Sequence, residues 1–178
     1  CGRGNLSFTS INLPRIGMEA KGDIDAFYRL LDKQIDLVIR QLLHRYKIQA
    51  AKKCLNYPFL MGQNIWIQSE TLGPDDTIGE VLKHGTLSVG FIGLAETLVA
   101  LTGKHHGESE ESQALGLEII GYMRKRMDEQ SELTGMNFTL LATPAEGLSG
   151  RFVRIDKKIY GERKGITDRD YYTNSFHI

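Results

Sequence analysis

The sequence predicts an α/β fold with a mostly parallel sheet, and three observations predict it. Short runs rich in β-branched and aromatic residues alternate with long segments whose apolar residues recur at helical spacing. Asp or Ser stands where the two longest helices would open, and glycine stands where two helices would close. Strands separated by helices pair in parallel, because the chain must cross back over the sheet between them.

The elements follow in order. Residues 5–13, NLSFTSINL, read as a strand that Pro14 stops. Alternation puts Asn5, Ser7, Thr9 and Ile11 on one face and Leu6, Phe8, Ser10 and Asn12 on the other. Neither face is cleanly polar, which suits a strand packed on both sides. Asp23 opens a long helix within residues 22–53, with Phe27, Leu31, Ile35, Val38, Leu42 and Tyr46 in one apolar stripe. Lys and Arg enrich its last turns, as the helix dipole favours. From Asn56 to Asp76 the chain holds Pro58, Gly62, Gly73, Pro74 and the single Trp66, which predicts loops with short extended pieces. Residues 84–91 read as a buried strand. A turn at Gly90 and Gly93 leads into a helix from about Leu94 to Leu101, with Gly103 placed to close it. Ser109 caps the next helix, Glu110 and Glu111 fill its first turn, and Leu115, Ile119, Tyr122 and Met123 form its buried stripe up to Gly135. Residues 136–142 read as a strand, residues 143–161 open like a helix, and residues 167–178 still look like structure.

Composition narrows the function. The 22 basic and 22 acidic residues cancel, which argues against bulk attraction to nucleic acid or anionic lipid. No apolar run is long enough to span a bilayer and no signal-peptide pattern appears. The cysteines, Cys1 and Cys54, form no CxxC pair, so they predict a reducing, cytoplasmic setting and no metal site in this segment. Residues 1–178 read as one domain segment without repeat or linker. Its ends look structured rather than tailed, which predicts a piece excised from a larger domain.

Four places could carry chemistry. At the corner ATPAEGLSGRF, Thr143, Pro144 and Glu146 match a capping box, with Glu146 reaching back to the Thr143 amide. The same strand-to-helix corner could instead receive a ligand, since such corners present free N–H groups and Gly147 and Gly150 allow close approach. Glu146 would then meet a hydroxyl or a base edge, because it repels phosphate. His84 and Glu96 flank the apolar run HGTLSVGFIGLAE, and the Gly90 and Gly93 spacing is no nucleotide fingerprint. His105 and His106 are adjacent, which is not a helical metal spacing, and read as a solvated loop. Asn5 follows Gly2 and Gly4 at a strand start. It either bonds the turn backbone or presents its amide to a ligand.

Four blocks in this order, GRGNLSFTSINLPRIG, HGTLSVGFIGLAE, TPAEGLSGRF and ITDRDYYTNSFH, resemble the anaerobic (class III) ribonucleoside-triphosphate reductase family across essentially the whole chain. The resemblance implies a segment of a ten-stranded α/β barrel, hence a partial barrel here. It implies a glycyl-radical enzyme that converts ribonucleotides to deoxyribonucleotides through a thiyl radical. It implies zinc, formate or a dithiol as reductant, ATP and dATP as effectors, a radical S-adenosylmethionine activase as partner, and a homodimer. By resemblance Asn5 contacts the substrate ribose and counts as catalytic, and Thr143, Glu146, Gly147 and Leu148 are candidate substrate contacts. Cys1 lacks the context of the family's radical cysteine and is not assigned that role. The radical-cysteine loop, glycyl-radical loop, zinc module and ATP-cone find no match in the segment, which predicts that it does not turn over alone. The alternatives are another glycyl-radical enzyme resembling formate acetyltransferase, or a non-catalytic module that binds a nucleotide or a protein.

Overall fold

A computed structural model describes residues 3–177, so Cys1 lies outside the described residues. Three strands, β1 (Asn5–Asn12), β2 (Thr86–Ile92) and β3 (Asn137–Ala142), form one parallel sheet in the order β1-β2-β3. Their amino ends share one edge and their carboxyl ends the other.

Among the described residues six α-helices connect and cover the strands: α1 (Leu13–Ala20), α2 (Ile24–Ala50), α3 (Gly79–Leu82), α4 (Leu94–Thr102), α5 (Glu110–Thr134) and α6 (Glu146–Tyr160). The sequence reading lacks α1 and α3. Pro14 does end β1, but it sits in the first turn of α1, where proline costs nothing, and Asn12 Oδ1 caps that turn from the Arg15 N–H at 3.2 Å. The strand therefore passes straight into a helix. Gly17 lets α1 press on α4, since a Cβ there would stand 3.2 Å from Thr97 and 3.3 Å from Ala100. The two long helices form as their caps require. Asp23 accepts the Ala26 N–H at 3.1 Å, and Ser109 accepts the Ser112 N–H at 3.1 Å.

One sheet face is the core. Leu87 and Val89 of β2 are fully buried with Ile11, Phe138, the α2 stripe of Phe27, Leu31, Ile35 and Leu42, and Ile119, Met123 and Met127 of α5. Each such side chain contributes roughly 1.5–3 kcal/mol. The irregular stretch between α2 and β2 packs its own small core around Trp66, Met61, Cys54, Ile78 and Val81, and Trp66 Nε1 donates to the Val81 carbonyl at 2.8 Å. A third cluster joins Met18, Ile92, Val153, Ile166 and Tyr172. After α6 the described chain forms turns and bends. No helix is long and apolar enough to cross a membrane among the described residues.

Candidate functional site

The sheet face away from α2 and α5 is small and polar along the central strand. In β2, Leu87 and Val89 enter the core, so Ser88 and Gly90 point the opposite way. That face also carries Phe8, which is 51% exposed, and Ser10 and Thr139 on either side. The alternation of large and small residues along β2 was a legible signal for this face.

Asn5 joins this face through a bulge. The β1–β2 register runs Asn5 to Thr86 and then Ser7 to Leu87, so Leu6 is an extra residue. Strict alternation would put Asn5 with Ser7 and Thr9. Those two instead turn toward α2, where Arg45 Nη1 donates to Ser7 Oγ at 3.0 Å and Thr9 Oγ1 at 3.1 Å. The physical reason lies in Leu6, which packs into the cores and fills the space that Gly85 leaves. A Cβ on Gly85 would stand 2.5 Å from Leu6 Cγ. Bulges re-aim side chains in this way.

Ser88 then orients Asn5. Ser88 Oγ donates to Asn5 Oδ1 at 3.3 Å and pairs with Thr139 Oγ1 at 3.0 Å, so one relay runs from Thr139 through Ser88 to Asn5. The Asn5 carbonyl is engaged, while its Nδ2 donors meet no protein acceptor among the described residues. Asn5 opens on a cleft of about 450 Å³ lined also by Arg3, His84, Asn137 and Thr139. His84, whose catalytic use the sequence left open, pairs Nε2 with Gln68 Oε1 at 2.8 Å at this rim.

The TPAEG corner lies at the other end of the same face. The predicted capping box does not form. α6 starts at Glu146 after Ala145, with no side-chain cap. Thr143 is committed elsewhere. Its N–H extends the ladder to the Phe91 carbonyl at 3.1 Å, and its hydroxyl pairs with Ser10 Oγ at 2.7 Å. Gly90 makes room for that pair, because a Cβ there would fall 2.1 Å from Thr143 Oγ1. The Glu146 carboxylate is exposed and unpaired among the described residues, and Gly147 faces open space. Both line a cleft of about 460 Å³ with Arg154, Lys157 and Arg169. Leu148 packs instead against the third core cluster. Asn5 and Thr143 are thus separated by roughly 15 Å of strand. A single ligand touching both must run along the face.

Two buried carboxylate centres stand at the carboxyl edge: Glu96, which the sequence singled out, and Asp156, which sequence reasoning missed. Asp156, fully buried, accepts from Asn12 Nδ2, Arg15 Nε and Tyr172 Oη at 2.8 Å each, with Arg15 Nη2 at 2.6 Å. Burial first, and then this bond to Asp156, pushes the Tyr172 hydroxyl pKa well above its ordinary value. Glu96 Oε1 accepts from Arg169 Nη1 at 2.7 Å, Thr173 Oγ1 at 2.8 Å and Thr173 N at 3.0 Å. These contacts make Glu96 a structural tie. Among the described residues no three His, Cys, Asp or Glu side chains converge to hold a metal ion, so the implied zinc has no ligand set there.

The comparisons with known proteins agree with one another. The family model for anaerobic ribonucleoside-triphosphate reductase matches residues 1–178. The anaerobic ribonucleoside-triphosphate reductases of Salmonella typhimurium and Escherichia coli K12 are 40% and 39% identical over 180 residues, covering 99% of this chain and 25% of each relative. That of bacteriophage T4 is 34% identical over 183 residues, covering 99% of this chain and 28% of the relative. The chain therefore spans about a quarter of the length of these relatives. The crystal structure of the Thermotoga maritima anaerobic ribonucleotide reductase with dATP and CTP superposes with a TM-score of 0.71 at 19% identity, over 97% of this chain and 27% of that one. The same enzyme with citrate in the active site gives 0.70 at 19% identity, over 97% and 30%. The shared fold makes the three-stranded sheet a partial α/β barrel, and the sequence matches favour the reductase over the formate acetyltransferase alternative. By its sequence along its whole length, the chain belongs to the anaerobic ribonucleoside-triphosphate reductase family.

Proposed function

We propose that this chain forms part of the substrate wall of an anaerobic reductase that converts ribonucleoside triphosphates to deoxyribonucleotides. The observation that carries the proposal is the Thr139–Ser88–Asn5 relay on the face that α2 and α5 leave uncovered. It fixes the Asn5 carbonyl and leaves the amide N–H groups for a sugar hydroxyl. A neutral amide holds such a hydroxyl without titrating as water departs. At the far end of the face, Glu146 and Gly147 are the substrate contacts, with Glu146 meeting a hydroxyl or base edge. Thr143 and Leu148 serve the same corner by holding it in place.

In the whole enzyme the proposal includes the glycyl radical, zinc, formate or a dithiol as reductant, and ATP and dATP as effectors. It also includes the radical S-adenosylmethionine activase, a homodimer and a cytoplasmic location. The glycyl radical would store the radical from which the thiyl radical acting on the ribose is drawn, and the residues of this chain bind and orient the substrate. The structure of the Thermotoga maritima enzyme with dATP in its specificity site supports nucleotide effectors.

The test uses a full-length reductase carrying these residues. Asn5→Ala should lower kcat by about 10²–10³-fold, the loss expected for one preorganised donor, with the radical content measured by electron paramagnetic resonance unchanged. A kcat and KM near those of the wild type would refute the ribose contact.

A further inference from the structure

A second cleft lies apart from Asn5. It encloses about 670 Å³ between α4 and the loop that follows α6, a volume typical of small-molecule sites. One wall is apolar, built by Val99 and Ala100 of α4 and Ile166 of the loop. The other carries Arg163, Lys164 and Arg169.

These cations differ in their commitments. Arg169 is held by buried Glu96 at 2.7 Å and lies 3.7 Å from Asp168. Arg163 and Lys164 are exposed and meet no carboxylate within ion-pair distance among the described residues. The one acid in the lining, Glu108, is engaged by His105 and pairs with neither of them among the described residues. It accepts the His105 backbone N–H at 2.8 Å and sits 3.6 Å from His105 Nε2. The cleft therefore keeps uncompensated positive charge beside an apolar wall.

The loop is also held in shape. Thr167 Oγ1 accepts the Arg163 N–H at 2.7 Å and donates to the Gly161 carbonyl at 2.8 Å. Gly165, at φ +76°, lies so close to α4 that a Cβ would stand 3.0 Å from Val99 Cγ1. The backbone carrying both cations, with the Arg163 guanidinium 5.8 Å over the Tyr160 ring, is thus fixed before any ligand arrives, which lowers the cost of binding.

We propose that this cleft binds a small phosphorylated molecule, with its phosphates on Arg163 and Lys164 and its apolar or aromatic part against Val99, Ala100 and Ile166. The site is independent of the Asn5 reading. Its test is photolabelling of a full-length reductase carrying these residues with 8-azido-ATP, followed by mass-spectrometric peptide mapping. Label is expected on peptides spanning 94–103 or 164–172, and excess inorganic tripolyphosphate should displace it. The double variant Arg163→Ala, Lys164→Ala should reduce it about tenfold or more, as loss of charge-assisted hydrogen bonds implies. Lys164→Glu, a single change at an exposed position, should do the same with an unchanged melting temperature. Absence of label from both peptides, label that persists in the variants, or label that resists tripolyphosphate overturns the proposal. Label confined to residues 143–150 overturns it as well, while leaving the substrate reading intact.

Discussion

Gly90 shows how one missing side chain positions two others. Its Cα lies under the Ser10–Thr143 hydroxyl pair, and an added Cβ would meet Thr143 Oγ1 at 2.1 Å and Ser10 Oγ at 2.8 Å. Neither atom can yield cheaply, because Ser10 and Thr143 belong to chain segments that the ladder holds on either side of β2. Gly90→Ala is therefore expected to cost about 1–3 kcal/mol through overpacking, with roughly 1 kcal/mol more if the hydroxyl bond breaks. Urea unfolding measures it. The penalty should shrink when Thr143→Ala removes the opposing oxygen, a coupling that a double-mutant cycle isolates. A Gly90→Ala variant as stable as the wild type, or an equal penalty in both backgrounds, would contradict this assignment. Asn5 makes a complementary point about residues. Its chemistry was readable from its type, but its face was not, because period-two counting assumes that no residue is extra. The bulge is decided by where Leu6 packs and by the room at Gly85, a contact across 79 positions of chain.

At the scale of elements, the docking of α6 on α1 carries a pH signature. Tyr160, in the last turn of α6, donates to Glu19 Oε1 of α1 at 2.8 Å. Burial first, and then the bond to Glu19, push the Tyr160 pKa up to about 12, against about 10 for an unfolded tyrosine. Between these values the unfolded chain has released a proton that the native chain still holds, so stability falls as pH rises. The contribution is complete below about pH 10 and lost by about pH 12. Urea unfolding of the wild type and Tyr160→Phe should show a stability difference at pH 8 that disappears across this window. A difference that stays constant to pH 12 would count against the assignment. Elements such as α2, α4 and α5 were legible because their caps and stripes are local. α1 was not, because Pro14 signals both a strand end and a helix start, and only Asn12 capping Arg15 decides between them. The start of α6 was misplaced by two residues because the Thr143 hydroxyl had a partner 133 positions away that no local pattern reveals.

Across the whole molecule, the segment after α6 works as a strap over the carboxyl edge of the sheet. Tyr172 bonds Asp156, which also gathers Asn12 and Arg15 at the end of β1. The Thr173 carbonyl accepts the Gly93 N–H at 2.7 Å beyond β2, and the Ser175 N–H reaches the Thr143 carbonyl at 3.4 Å beyond β3. Glu96 adds its bonds to Arg169 and Thr173. Thus one strap meets the ends of all three strands, and Asp156 ties it to the first. Asp156→Ala would leave the donors of Asn12, Arg15 and Tyr172 facing a buried site without an acceptor. Breaking a buried ion pair in this way costs about 3–5 kcal/mol. Asp156→Asn should cost less, since it keeps one acceptor oxygen. Because the strap is a short irregular segment, anchored by Ile166 and Tyr172 in the third cluster and by these bonds rather than by a ladder, it should open before the sheet. Hydrogen exchange of Asp156→Ala should therefore show loss of protection at residues 172–175 while Leu87–Val89 of the central strand stay protected. Unchanged exchange at 172–175, with stability within about 1 kcal/mol of the wild type, would mean that Asp156 does not hold the edge. Loss of protection at the strap together with the corner at Thr143 would tie the strap to the TPAEG cleft, whose wall shares Arg169 with the larger cleft beside α4.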